Sequence, residues 1–203
     1  MNASQFVFGY GSLVADSERG HVATLRGHRR VWGVAMDNSR DLPGYKSYRL
    51  RADGSRPQIF VAFLDIEPDP AATVIGVCTP VGDGDLLELD RRERNYDRVD
   101  VTDAVDGARG RVWAYRGSRA GQERLRDGLA SGRAAVSRDY LDGVLAGIAA
   151  FAAHEARAMR DSPAQAGLAV LDLRRVEVRA GSSDDAGTVA ARERAEGGHG
   201  DRR

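Results

Sequence analysis

At least six short runs of β-branched and aromatic residues set the terms on which this chain folds. Residues 5–8, 30–36, 59–66, 73–77, 99–101 and 111–115 read as strands, with 171–173 and 176–178 adding alternation near the end. The 59–66 and 73–77 runs are separated by Pro68-Asp69-Pro70, which reads as a turn. Helical periods are fewer: 83–96, a short one over 122–130, and a long one from Ser137 to about Met159. In the last, Tyr140, Val144, Ile148 and Phe151 recur at helical spacing behind Ser137 as N-cap. Helices do not alternate with strands, so the pattern favours α+β, with a mixed or barrel-like sheet and a few flanking helices, over a doubly wound fold.

The chain has 203 residues, 42% of them apolar, which suits one domain with a substantial core. That domain is expected over 1–179. Beyond it Gly, Ser, Asp, Arg and Glu prevail without apolar period, so 180–203 reads as a disordered polar tail. Thirty Lys and Arg balance thirty Asp and Glu, leaving no global field to draw the protein onto nucleic acid or an anionic membrane. The cluster Arg26, Arg29 and Arg30 accordingly reads as a solvated edge. Residues 1–13 lack a basic stretch ahead of an apolar one, and apolar runs such as 148–153 are far too short to span a bilayer. The expectation is a soluble, cytoplasmic protein with a small-molecule partner, whose oligomeric state the sequence does not signal. Cys78, the one cysteine, lies in an apolar run and reads as a buried hydrophobe. His21, His28, His154 and His199 are not at zinc-ligand spacing, so no metal is expected. The 37–56 stretch lacks clear period and is either a binding loop or a surface connection.

Two stretches carry chemistry. The first strand runs into Gly9-Tyr10-Gly11-Ser12-Leu13, where glycines permit positive φ and close approach, so that successive N–H groups line a concavity for an anion. Equally, glycine is how many strands end. Further on, Leu86, Leu89, Glu93 and Tyr96 follow the i, i+3, i+7, i+10 pattern of one helical face. Two leucines mark that face as buried, which leaves Glu93 where a hydrophobe belongs. Its carboxylate then either takes a partner or has its pKa raised by desolvation, and such a group exchanges a proton near neutral pH. The alternative is a helix that frays after Asp90, with Glu93 joining Arg91, Arg92 and Arg94 on a solvated face.

Together, Phe8-Gly9-Tyr10-Gly11-Ser12-Leu13 and Leu89-Asp90-Arg91-Arg92-Glu93-Arg94-Asn95-Tyr96 resemble the two diagnostic motifs of the γ-glutamylcyclotransferase-like (AIG2-like) superfamily. Ser137-Arg138-Asp139-Tyr140 resembles a third element, a Ser and a Tyr opening a late helix. The resemblance spans about 6–140. It implies a compact mixed β-barrel fold with flanking helices, no metal and no organic cofactor, and release of 5-oxoproline from a γ-glutamyl substrate. It also implies roles: Glu93 as catalytic general base and then acid, Tyr10, Gly11, Ser12 and Leu13 as substrate-binding, Tyr140 as a lid or as a ligand for the γ-glutamyl head, and Asp90 as support. Such a reaction needs no nucleophile from the protein, because the substrate's own α-amine closes a five-membered ring on its γ-carbonyl. Arg94 stands where many members have Gly, and Leu13 where the cytosolic enzymes have Asn. These departures leave the acceptor half open among γ-glutamyl amino acids, glutathione and γ-glutamylamines. A non-catalytic binding protein for a small anion is the alternative. A nucleotide-binding protein fares worse, since residue 14 is Val rather than Gly and no Gly-Lys-Ser/Thr occurs.

Overall fold

The computed structural model describes residues 4–14 and 19–178. The expected tail, 180–203, lies outside the described residues. One large sheet runs in the order β5-β6-β1-β4-β7-β8, with β2 also paired to β4, and a separate two-stranded sheet joins β3 to β9. The strands are β1 (Gln5–Gly9), β2 (His21–Asp37), β3 (Lys46–Leu50), β4 (Phe60–Val81), β5 (Tyr96–Asp100), β6 (Arg111–Gly117), β7 (Ala134–Ser137), β8 (Ala169–Leu171) and β9 (Leu173–Glu177). Five helices flank them: α1 (Asp83–Arg92), α2 (Arg119–Ala130), α3 (Arg138–Ala149), α4 (Ala153–Met159) and α5 (Ser162–Gln165). The α+β expectation holds, but among the described residues the sheet stays open and does not close into a barrel.

The antiparallel pair β2–β4 is the spine. The turn expected at Pro68-Asp69-Pro70 is instead a bulge inside one continuous β4. Between the pairs Arg26↔Thr73 and His28↔Pro68, β4 takes five steps against two on β2. Proline has no N–H to give a ladder, so it falls where the ladder is interrupted. A second bulge places Gly33 between Trp32↔Leu64 and Val34↔Phe63. A side chain there would meet the Asp65 Cβ at 2.4 Å, so only glycine fits.

Strand β4 is longer than its other partners, and this matters most for function. With β2 on one edge along its length, β1 and β7 share the opposite edge, at Val77–Val81 and at Phe60 and Val61 respectively. Among the described residues no strand lies between them on that edge. There the Tyr96 hydroxyl donates to the Leu64 carbonyl at 2.6 Å, and the Leu64 N–H donates to the Tyr140 hydroxyl at 3.2 Å. Buried main-chain groups need such partners, and the two phenols supply them.

Other departures are local. The helix expected over 83–96 ends at Arg92, and Tyr96 already opens β5. The helix expected from Ser137 to Met159 is two, broken at 150–152, where neither Gly nor Pro marks the stop. Strand β3 lies inside the apparently aperiodic 37–56 stretch. Buried Asn38 anchors it, accepting from the Tyr48 N–H at 2.7 Å and donating to the carbonyls of Tyr48 and Pro57. Cys78 is buried as expected, and burial pushes its thiol up to about 11.

Candidate functional site

Gly9 and Gly11 do not use the positive φ that the sequence suggests. The chain turns instead through a single 3-10 turn, Ser12–Val14, in which the Val14 N–H reaches the Gly11 carbonyl at 3.1 Å. At Gly9 space is tight, since a Cβ there would lie 3.0 Å from the Leu13 backbone; at Gly11 a Cβ would meet the Tyr140 hydroxyl at an ordinary contact distance of 3.4 Å. The Tyr10 side chain points into the core and its hydroxyl donates to the Tyr115 carbonyl.

The loop is held from behind by a residue that the sequence reading assigned to a solvated edge. Arg30, only 7% exposed, donates to the carbonyls of Tyr10 and Ile75, both at 2.8 Å, and pairs with Glu155 at 2.7 Å. Arg26 and Arg29 are exposed and paired with Asp106 and Glu67, as a solvated edge requires.

Glu93 caps α1 rather than lying within it. Its N–H donates to the Leu89 carbonyl at 2.8 Å, and its own carbonyl accepts from the Tyr96 N–H at 2.9 Å, so its backbone is fixed on both sides. The carboxylate is 16% exposed and takes a partner, the Arg92 Nε at 3.1 Å. It also lies among phenols. Burial first, and the Glu93 charge after it, push Tyr45 up to about 12; burial also raises Tyr10, Tyr96 and Tyr115, followed by Asp65 for Tyr10, Tyr140 for Tyr96 and the hydrogen bond to Asp90 for Tyr115, with the Glu93 charge a smaller contributor to each. Tyr140 is also raised, by burial first. All of them therefore stand as neutral hydrogen-bonding groups near pH 7. Asp90, three residues before Glu93, accepts from the Tyr115 hydroxyl at 2.8 Å and pairs with Arg98 at 3.5 Å. A chain of contacts thus runs from the glycine loop through Tyr10 and Tyr115 to α1.

These elements converge on the bare edge of β4. A recess of about 20 Å³, room for one water-sized sphere, is lined by Tyr10, Gly11, Ser12 and Leu13 of the loop, Glu93 of the α1 cap, and Leu64, Tyr96, Tyr115 and Tyr140. Through Ser12, Glu93, Tyr96 and Tyr140 it opens into a cleft of about 670 Å³. All six site residues expected from the sequence line the recess, and Ser12, Glu93 and Tyr140 also line the cleft. The cleft's far wall is Tyr45 just before β3, Lys46 of β3, Phe63 of β4 and Arg175 of β9; of these the sequence reading offered only the 37–56 stretch as a binding loop or a surface connection. The signal for Lys46 was present in the sequence, since it is the only lysine in the chain. Its ammonium lies 4.2 Å from the Phe63 ring centroid, and burial lowers its pKa to about 8 against the opposing pull of the Glu93 charge. Among the described residues no group of three His, Cys, Asp or Glu is arranged to hold a metal ion, and no helix is long and apolar enough to cross a membrane.

The open mixed sheet thus carries a recess at a strand gap, bordered by a glycine loop and a single carboxylate, Glu93. The chain belongs to the γ-glutamyl cyclotransferase, AIG2-like family, whose model matches residues 7–133. Among solved structures it is similar to a γ-glutamyl cyclotransferase at 15% identity, with a TM-score of 0.51 over 77% of this chain and 86% of that one. It is similar to a glutathione-specific γ-glutamyl cyclotransferase from yeast at 14% identity, with a TM-score of 0.51 over 81% of this chain and 97% of that one. YkqA from Bacillus subtilis is 16% identical, with a TM-score of 0.54 over 80% of this chain and 56% of its own. At such identities the likeness is one of fold. No curated protein matches the chain in sequence.

Proposed function

We propose that the protein is a γ-glutamylcyclotransferase that releases 5-oxoproline and a free amine or amino acid from a γ-glutamyl substrate, without cofactor. The observation that carries this reading is that Ser12, Glu93 and Tyr140, from three distant stretches of chain, line one recess. In the proposed reaction the α-amine, relieved of a proton by Glu93, attacks the γ-carbonyl carbon. The new ring C–N bond forms, the acceptor C–N bond breaks, and the proton held by Glu93 passes to the leaving amine. Nothing else is consumed. Main-chain N–H groups of Tyr10 to Leu13 and the Ser12 hydroxyl are assigned to the substrate's α-carboxylate and the developing oxyanion. The neutral Tyr140 phenol closes over the γ-glutamyl head, whose remainder extends into the cleft.

A protein that merely captures a small anion needs no carboxylate in its recess, because a negative charge there repels the ligand. The test is a panel of γ-glutamyl compounds assayed for 5-oxoproline with wild type and Glu93→Gln. Wild type is expected to turn over at least one of them. Glu93→Gln is expected to fold, to bind substrate, and to lose kcat by about a hundredfold or more. Wild-type turnover in Glu93→Gln would exclude Glu93 as the proton carrier.

A further inference from the structure

The single lysine of the chain occupies the wall of the cleft through which the acceptor half of a γ-glutamyl substrate must leave. We infer that Lys46, with Arg94, selects acceptors that are themselves acidic, so that the preferred substrate is a γ-glutamyl compound of a dicarboxylic amino acid. This deepens the proposed cyclotransferase reading and rests on it.

The argument begins with what surrounds the ammonium. Lys46 is half-buried on β3, 4.2 Å from the Phe63 ring centroid and 5.4 Å from that of Tyr45. Arg94 lies 5.3 Å from the same Tyr45 ring and donates to the carbonyls of Pro43 and Arg91. Among the described residues neither cation pairs with a carboxylate. Two cations on one ring, neither in a direct ion pair among the described residues, at the open side of a small recess suit a ligand that brings negative charge. Elsewhere on the rim the charges are matched: Arg92 is joined to Glu93 at 3.1 Å and Arg175 to Glu177 at 2.7 Å.

Why a lysine stands here, in a protein whose other basic residues are all arginine, follows from size and burial. An ammonium is compact enough for the aromatic wall, and unlike a guanidinium it titrates within reach of ordinary pH. Burial lowers its pKa to about 8. The charged groups facing it are Arg92 and Glu93 from the end of α1 and Arg175 and Glu177 from β9. The two glutamates favour the ammonium and the two arginines oppose it. A bound carboxylate adds to the favourable side, so an acidic ligand raises the Lys46 pKa.

Two readouts test this. The first compares γ-glutamyl-glutamate with γ-glutamyl-butylamine, whose acceptor is uncharged. Wild type is expected to prefer the former in kcat/KM by about tenfold or more, and to lose that preference as pH rises through about 8. In Lys46→Gln the ratio of the two kcat/KM values is expected to fall about tenfold, through KM for the acidic substrate, and Lys46→Arg is expected to restore the preference without its loss at high pH. The second readout needs no turnover. One lysine gives one side-chain ammonium resonance by NMR, expected in wild type to titrate near 8 and to move upward when glutamate, which has no γ-amide to cleave, is added. Turnover of no γ-glutamyl compound by wild type defeats the cyclotransferase reading. Turnover that favours the neutral acceptor, or an unchanged ratio in folded Lys46→Gln, defeats the inference alone. If Lys46→Gln does not fold, the wild-type preference and the lysine titration decide.

Discussion

Asp65 is 2% exposed, yet it stands at the crossing of three strands. Its Oδ1 accepts from the Ile66 and Gly117 N–H groups, each at 2.7 Å, and both Gly33 and Gly117 lack side chains where a Cβ would strike it. Burial raises its pKa, while the hydrogen bonds to Gly117, Ile66 and Gln122 pull it back down. A carboxyl with a raised native pKa holds its proton more tightly folded than unfolded, so the stability it contributes is greatest in acid and is lost as pH rises through the native value. Asp65→Asn keeps the acceptor and removes the titration. The advantage of wild type over Asp65→Asn in urea unfolding is therefore expected to shrink as pH rises above about 4, the unfolded value. An advantage that grows with pH would contradict this account. Neither Asp65 nor Arg30 announces its role in sequence. An acid in a strand and an arginine beside two others look alike whether they face water or the core, because only tertiary partners distinguish them.

At the level of elements, helix α1 was legible because Leu86 and Leu89 repeat at helical spacing, and both pack against the Val7 and Tyr115 layer. Its end was not. Glu93 obeys the same period but leaves the helix as its cap, since the period continues into a strand that happens to begin with Tyr96. Strand β3 was illegible because Lys46-Ser47-Tyr48-Arg49-Leu50 gains its order from β9, more than a hundred residues away. Strand β7, two alanines, a valine and a serine buried on all sides, offers too little pattern to read. The phenols at the bare edge of β4 yield a prediction at this scale. Tyr96→Phe leaves the Leu64 carbonyl without its 2.6 Å donor and is expected to cost about 1–2 kcal/mol in chemical denaturation with an unchanged denaturant slope. A neutral effect would mean that Leu64 needs no such donor.

At the scale of the molecule, most ion pairs among the described residues are exposed at both ends, as in Arg26–Asp106, Arg111–Asp100 and Arg119–Glu123. Pairs of this kind contribute little, and the balanced net charge leaves no self-repulsion for salt to relieve. Adding about 0.5 M sodium chloride is expected to move the thermal midpoint by no more than about 2 °C. A larger fall would assign surface charge a weight that this distribution does not give it. The family and the α+β class were readable from two short motifs and from the ratio of strands to helices. The open form of the sheet was not, because it depends on how far β4 outruns its neighbours. That excess length separates two kinds of change. The recess is lined by Leu64 of β4 together with the glycine loop, Glu93 and the phenols, whereas the cleft's far wall adds Lys46 of β3, Phe63 of β4 and Arg175 of β9. Substitutions at Lys46 or Arg175 in that wall change the charge that the cleft presents while leaving the glycine loop and Leu64 as they are, since neither residue lines the recess.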